Sequence, residues 1–172
     1  MDPGMPMLVP LGITPVLAQK INSGGYLGVI DLLESNQCIV SKGAKALLRR
    51  ITIEVRSGDM TLLFMPVQLF EIEKPTHVHI CSSLKEKGFR MCPPWLPIVL
   101  RLFYKVQPEG ECLNFAMDPI AYDDATAFFT ISNEQGQLIL DRRVVFPDQV
   151  FGENESFVFM DRIKNKRSYT NV

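Results

Sequence analysis

The sequence predicts an α+β protein: a β-rich antiparallel sheet, or a sandwich of two sheets, with a few short helices. Seven or eight segments alternate apolar and polar residues or are rich in β-branched and aromatic residues, which is typical of strands. Turn residues separate these segments at short intervals, whereas helix-capping signals lie mainly in the N-terminal third. The length of 172 residues with 47% hydrophobic residues suits one domain with a substantial core.

The chain divides into three expected parts. Residues 1–11, "MDPGMPMLVPL", contain three prolines among apolar side chains and read as an extended N-terminal arm. Residues 12–161 carry all the regular patterns and form a single globular domain. Residues 162–172 contain four basic and no acidic side chains, which predicts a flexible basic tail.

Helix signals open the domain. Thr14 is a good N-cap and Pro15 fits the first helical position, so we expect a helix over residues 15–22 that ends at the following glycines. The next run, "YLGVIDLLES", fits a helix or a strand equally well because it is short. The stretch "SKGAKALL" predicts a further helical turn.

The middle of the chain favours strands. "RRITIEVRS" alternates cleanly, with Ile51, Ile53 and Val55 on one face, and is the best strand in the sequence. The turn "SGD" and the return "MTLLFMPV" predict a hairpin. "THVHIC" is again strand-like, and "SSLKEKGF" after it fits one or two helical turns.

The second half is expected to be mostly sheet. "IVLRLFYKV" alternates and favours a strand over a helix, and "CLNFAM" follows a turn. "TAFFTIS", the turn "NEQG" and "QLILDRRVVF" predict a second hairpin. "SFVFMD" is the last expected strand.

The only two histidines suggest a possible site. In a strand His77, His79 and Cys81 would share one face, as metal ligands can. Cys92, Cys112 or a carboxylate such as Asp123 could complete a ligand set, but no spacing selects any of them. His79 and Cys81 are too far apart along a strand for direct hydrogen bonding, which disfavours a catalytic thiol. We therefore expect no catalytic residue, metal, cofactor or small-molecule substrate.

Composition bounds the cellular context. Four cysteines without a C-x-x-C pair favour reduced thiols in a cytosolic protein over disulfides. No run approaches the length of a transmembrane span, and the N-terminus has no basic region before its apolar residues, so neither a membrane helix nor a signal peptide is expected.

Two basic clusters and the arm are the candidate binding features. Each cluster could meet phosphates or anionic lipid headgroups. The arm could dock into a neighbouring copy through its apolar side chains and support self-association. The cluster residues are Lys42, Lys45, Arg49, Arg50, Arg162, Lys164, Lys166 and Arg167, and the arm residues are Met5, Met7, Leu8 and Val9.

In overall layout the chain resembles the matrix proteins of plant-infecting rhabdoviruses, of the cytorhabdovirus type. The arm "MDPGMPMLVP", the segment "RRITIEVRS" with its return and the sheet-rich half from 98 to 161 carry the resemblance, together with the absence of a catalytic constellation. It implies a twisted antiparallel sheet packed on helices.

The resemblance implies a function as well. A protein of this type self-assembles in the virion and the host cytoplasm, lies peripherally on an anionic membrane, binds the viral nucleocapsid, and condenses it during assembly and budding. We therefore expect a non-enzymatic viral structural protein. One alternative is a viral movement or accessory protein with a β-sandwich core. An alternative from another class is a small metal-dependent or thiol enzyme that uses His77, His79 and Cys81.

Overall fold

The computed structural model describes residues 6–162, and these form a mixed sheet with four α-helices, so the α+β class is confirmed. In chain order the elements are β1 (Met7–Ile13), α1 (Pro15–Ser35), β2 (Cys38–Val40), α2 (Lys42–Leu48), β3 (Gly58–Pro66), a 3-10 turn (Val67–Phe70), α3 (His77–Glu86), α4 (Leu96–Phe103), β4 (Cys112–Phe115), β5 (Ile120–Tyr122), β6 (Ala125–Glu134), β7 (Gln137–Val144) and β8 (Ser156–Met160).

All eight of these strands belong to one sheet. Its order is β1-β3-β8-β4-β6-β7-β2, with β5 beside the first part of β6. The β4–β8 and β2–β7 pairs are parallel, and the other pairs are antiparallel. The sheet is therefore mixed and not purely antiparallel, and the alternative of a two-sheet sandwich is wrong for residues 6–162.

The predicted C-terminal hairpin is confirmed as β6 and β7. Its register runs from Ala127 opposite Val144 to Glu134 opposite Gln137. The two turn residues between them, Gln135 and Gly136, both have left-handed φ angles of 52° and 81°. Two positive φ values define the tight turn whose twist matches that of paired strands, which explains why the two strands stay paired up to the turn.

The first helix is longer than predicted. Thr14 caps it as expected, because its side-chain oxygen accepts a hydrogen bond from the Leu17 amide at 3.2 Å. Gly25 has a positive φ of 60° with ψ −161°, a non-helical conformation open to glycine, but this produces a kink and does not end the helix. The helix continues to Ser35 because the residues after the kink supply a buried apolar face at Val29 and Leu33.

The predicted strand "RRITIEVRS" has no place in the sheet, and that prediction is wrong. Its expected hairpin partner, β3, pairs instead with β1 and with β8. β1 covers one edge of β3 from Met7 opposite Phe64 to Ile13 opposite Gly58, so that edge is occupied. The predicted boundary of the arm at residue 12 accordingly falls inside the first strand.

The strand predictions for "THVHIC" and "IVLRLFYKV" are also wrong, because the two segments contribute to α3 and α4. Thr76 provides a capping oxygen for the His79 amide at 3.3 Å, and Pro97 lies in the first turn of α4, so each segment begins with helix punctuation. Helices therefore extend to Phe103, beyond the N-terminal third.

Aromatic side chains fill the core between the sheet and the helices. Phe128 and Phe157 are fully buried, and Phe151 meets Phe157 edge to face with ring centres 5.0 Å apart. The imidazole of His77 stacks on Phe128 at 4.5 Å. The start of α3 is therefore part of the core.

Candidate anion-binding surface

The structure separates the three residues of the possible metal or thiol site. On the helix α3, residues four apart share a face, so His77 and Cys81 point inward and are 3% and 8% exposed. His79 lies on the exposed side, and its Nδ1 is 2.7 Å from the Lys74 carbonyl oxygen. The prediction of one shared face is therefore wrong, since it assumed a strand.

Burial also determines the protonation states of His77 and Cys81. The Cys81 Sγ lies 3.8 Å from the His77 Nε2. Desolvation lowers the pKa of His77 to about 4 and raises the pKa of Cys81 to about 12. Both groups are neutral at pH 7, so they do not form the thiolate–imidazolium pair that activates a catalytic cysteine.

The predicted additional ligands do not join these residues. Within residues 6–162, no group of three or more His, Cys, Asp or Glu side chains is placed to hold a metal ion. Cys92 is buried and hydrogen-bonds to the Val158 carbonyl, while Cys112 is exposed on β4. The His77 and Cys81 side chains act as core residues of α3.

The first basic cluster lies on α2 and the turn after it. Ser41 starts the helix: its hydroxyl accepts from the Ala44 amide at 3.0 Å and donates to the Asp141 carboxylate at 2.5 Å. Ala44, Leu47 and Leu48 form the buried face. The remaining positions therefore project outward, and they carry Lys42, Lys45, Arg49 and Arg50.

Three of these four cations contact a carboxylate or an aromatic ring in the described chain. Lys45 pairs with Glu34 at 3.3 Å, and Arg50 pairs with Asp123 at 3.5 Å. The Arg49 guanidinium lies over the Tyr26 ring, 5.1 Å from its centre. Lys42 and Arg49 form no ion pair with any residue of the described chain, so their charges are not neutralised locally.

Arg142 of β7 joins the cluster, which the sequence did not reveal. Its side chain lies across Gly43 of α2, within 2.7 Å of the position that a Cβ would occupy there, and its guanidinium stacks on Tyr122 at 4.3 Å. The only sequence signal was a glycine inside a helical pattern, which often marks a close approach. We call Lys42, Lys45, Arg49, Arg50 and Arg142 the α2 basic surface.

The second basic cluster is described only at its start. Arg162 is exposed, and its guanidinium lies 4.6 Å from the centre of the Phe89 ring. Lys164, Lys166 and Arg167 lie outside the described residues.

The described part of the predicted self-association arm packs against its own domain. In β1, Met7 and Val9 are half-buried against the core, and Leu8 is 62% exposed. Met5 lies outside the described residues. β1 is therefore an edge strand that pairs with β3. Two of the three described arm residues, Met7 and Val9, pack on the core of the same chain.

Comparisons with protein-family models, with curated proteins and with solved structures find no match for this chain. The fold and surface thus define an α+β protein with a basic helix face. In the described part of the chain, no helix has the length and apolar character needed to cross a bilayer.

Proposed function

We propose that this chain is a non-enzymatic structural protein of the viral matrix type. It self-associates, lies on an anionic membrane surface, and holds and condenses the viral nucleocapsid during assembly in the virion and host cytoplasm. The observation that supports the proposal is the α2 basic surface, which combines four cationic side chains of α2 and the following turn with Arg142 of β7, packed against Gly43 of α2. The proposal follows the layout resemblance for its biological setting and the surface for its chemistry.

The charges of this surface are available to an anionic partner. Lys42 and Arg49 have no carboxylate partner among residues 6–162. The pairs of Lys45 and Arg50 are exposed, and exposed pairs contribute only about 0–1 kcal/mol. Lipid phosphates can therefore replace these two carboxylates at little cost.

The size of the effect explains why self-association belongs to the proposal. Each Lys or Arg close to an anionic leaflet contributes about 1 kcal/mol, so a single copy binds weakly. Several copies in one assembly bind far more tightly because later contacts are effectively intramolecular. The whole chain has a formal net charge of −1, so attraction depends on the orientation of this one surface and not on overall charge.

Co-sedimentation with vesicles tests the proposal. The variant Lys42→Glu/Arg49→Glu should bind phosphatidylserine-containing vesicles at least about tenfold more weakly than the wild type, and neither protein should bind neutral vesicles. The matched control Lys20→Glu/Lys87→Glu makes the same charge change at two exposed positions outside the surface. It should bind as the wild type does.

Two outcomes would overturn the membrane part. Equal losses in the two double variants would mean that net charge and not the α2 basic surface controls binding. Wild-type binding to single-stranded RNA but not to vesicles, with RNA binding lost in Lys42→Glu/Arg49→Glu, would assign the surface to the nucleocapsid instead.

A further inference from the structure

A groove of about 650 Å³ runs along the exposed side of α3. One wall is a face of the helix, since residues three, four and seven positions apart share one side of a helix. The other wall is formed by the residues that follow the 3-10 turn. We call this the α3 groove, and its polar walls include His79, Ser82, Ser83 and Glu86 on the helix and Glu71 and Glu73 opposite.

The α3 groove has an excess of negative charge. Glu71 and Glu73 lie on one wall and Glu86 on the other, and all three side chains are exposed. Lys74 is the single Lys or Arg among the described residues that line it. Within residues 6–162, none of the three glutamates forms an ion pair. The groove therefore favours a positively charged occupant that can reach both walls.

The described chain ends beside the same helix. Met160 and Arg90 exchange two backbone hydrogen bonds of 3.0 and 3.1 Å, and the Arg90 Nε donates to the Asp161 carbonyl at 2.9 Å. The Arg162 side chain lies 3.9 Å from the position that a Cβ would take on Gly88, the second residue after α3. The chain beyond Arg162 therefore starts at the C-terminal end of α3.

Residues 163–172, which we call the tail segment, have the charge and the length to occupy the groove. Their sequence, Ile-Lys-Asn-Lys-Arg-Ser-Tyr-Thr-Asn-Val, has three basic side chains and no acidic one. Ten residues can span up to about 33 Å, whereas the helix wall from Glu86 back to His79 rises only about 10 Å. Because the segment is tethered at Arg162, its effective concentration at the groove is about millimolar.

Two other grooves near the chain end suit a basic segment less well. The groove of about 440 Å³ beside Arg162 has balanced charges, because Arg90 and Arg162 face Asp59 and Asp161. The groove of about 830 Å³ beside residues 50–56 has an excess of positive charge. Its charged residues are Arg50, Arg56, Arg90, Glu54 and Asp118. Charge complementarity thus selects the α3 groove.

We propose that the tail segment of the same chain docks in the α3 groove, where its cations meet Glu86 first and then Glu71 and Glu73. The contact is reversible, because exposed ion pairs are individually weak and are screened by salt. In the free protein it keeps the basic side chains of the tail segment away from external anions. A competing anionic surface releases them.

Docking of the tail segment goes beyond the proposed function and does not depend on it. The α2 basic surface and the α3 groove have no residue in common, so vesicle binding through Lys42 and Arg49 neither requires nor excludes a docked tail segment. Docking changes the role expected of the second basic cluster. Its cations Lys164, Lys166 and Arg167 are paired within the chain until an anionic partner competes for them.

A spin label tests where the tail segment lies. In a Cys112→Ser background, Asn171→Cys carries a nitroxide, because the other three cysteines are buried. The amides of residues 71–74 and 79–86 should lose at least about half of their NMR peak intensity, more than those of residues 50–61 beside the other two grooves. Raising the salt from about 0.1 M to about 1 M shortens the Debye length from about 10 Å to about 3 Å and should restore the intensity.

Charge reversal in the groove tests the contact. Glu73→Lys/Glu86→Lys changes one exposed glutamate on each wall and should reduce the loss of intensity at least about threefold. The matched control Glu109→Lys/Asp148→Lys makes the same charge change at two exposed positions outside the groove. It should behave as the wild type does.

Charge reversal in the tail segment leaves all described residues unchanged, so it cannot disturb their fold directly. Lys164→Glu/Lys166→Glu should also reduce the loss of intensity at least about threefold. Combining it with Glu73→Lys/Glu86→Lys restores opposite charges and should return the loss to within about twofold of the wild type.

A mixing experiment identifies whose tail segment occupies the groove. Spin-labelled protein at natural isotope abundance, added to nitrogen-15 protein without a label, reports only contacts between copies and should leave the groove amides unchanged. Three results would overturn the proposal: no loss of intensity at the groove amides, a loss that both charge reversals leave intact, or a loss that appears between copies. The last result would assign the groove to the tail segment of a second copy.

Discussion

The β6–β7 hairpin and residues 49–57 are both strand-like in sequence but have different structures. Both predict strands from sequence, yet only the hairpin forms a ladder, from Ala127 opposite Val144 to Glu134 opposite Gln137. The hairpin closes onto itself through a two-residue turn, so its partner is adjacent in sequence. The corresponding partner of residues 49–57 would be β3, whose free edge β1 has taken. An alternating apolar–polar sequence therefore indicates only that one face of a segment is covered. A β-strand also requires a neighbouring strand with a free edge.

The two regions also differ in how completely their side chains are buried. Residues 127–133 of β6 are all buried, which places both faces of the strand inside the protein. Residues 51–55 are buried on one face only, and Asn22 holds that segment through a single side chain. We therefore expect substitutions in β6 to control folding and substitutions in residues 51–55 to have small effects on the stability of one copy.

The largest expected effect is at Phe128. Replacing this fully buried ring by alanine removes contacts with His77, Phe151 and Phe157, and should lower the free energy of unfolding by about 3–5 kcal/mol. Urea denaturation measures the change. Phe146→Ala, at a ring that is 60% exposed, should change stability by less than about 0.5 kcal/mol. Equal effects of the two substitutions would contradict the packing described for β6.

Acid sensitivity distinguishes the helix from the predicted strand at His77. Because burial lowers its pKa to about 4 from 6.5, the unfolded chain binds more protons between those values, so stability is complete above pH 6.5 and falls as the pH drops to 4. The loss should be about 3 kcal/mol. Urea denaturation at several pH values should show a loss smaller by that amount in His77→Gln.

The comparison with His77→Gln isolates this one group. Desolvation raises the pKa of Glu111, which favours the folded state at low pH, but that contribution is common to both proteins and cancels in the difference. An exposed imidazole on a strand face would give no such difference. Identical pH profiles for the two proteins would therefore contradict the burial of His77.

Sequence patterns predicted the fold well where contacts are local. The Thr14 cap, α2 and the β6–β7 hairpin depend on neighbours in sequence, and each is found as expected. The patterns failed at "THVHIC" and "IVLRLFYKV", since six to nine apolar-rich residues fit either period and the choice depends on what packs against them. The parallel β4–β8 and β2–β7 pairs are non-local, so no short pattern could predict them.

The residues of the α2 basic surface also differ in whether local sequence could predict them. The four cations of α2 and its turn were predicted because they are close in sequence. Arg142 was not, because the parallel pairing of β2 with β7 and the close packing against Gly43 bring it there. The missing strand partner of residues 51–54 was not foreseen for the opposite reason, because the sequence pattern predicts a strand clearly while a strand also needs a partner, and within the described chain these residues form no backbone–backbone hydrogen bond.

An intermediate effect is expected at Asn22. Its replacement by alanine removes both hydrogen bonds to the buried Val55 backbone and should cost about 1–2 kcal/mol. Hydrogen exchange should accelerate at the Val55 amide, with no change in the β6–β7 amides. Ser23→Ala, at an exposed neighbour whose hydroxyl donates to the Lys20 carbonyl of the same helix, is the matched control. Unchanged exchange at Val55 would mean that Asn22 does not hold the segment.

The smallest expected effect is at Ile53. Its side chain is only half-buried, so Ile53→Ala should lower the free energy of unfolding by less than about 1 kcal/mol in dilute protein, where a single copy is measured. Ile131→Ala, which truncates the same residue type at a fully buried position of β6, should cost about 2–5 kcal/mol. A loss at Ile53 as large as that at Ile131 would show that residues 51–55 belong to the core, and the contrast between these residues and the β6–β7 hairpin would then fail.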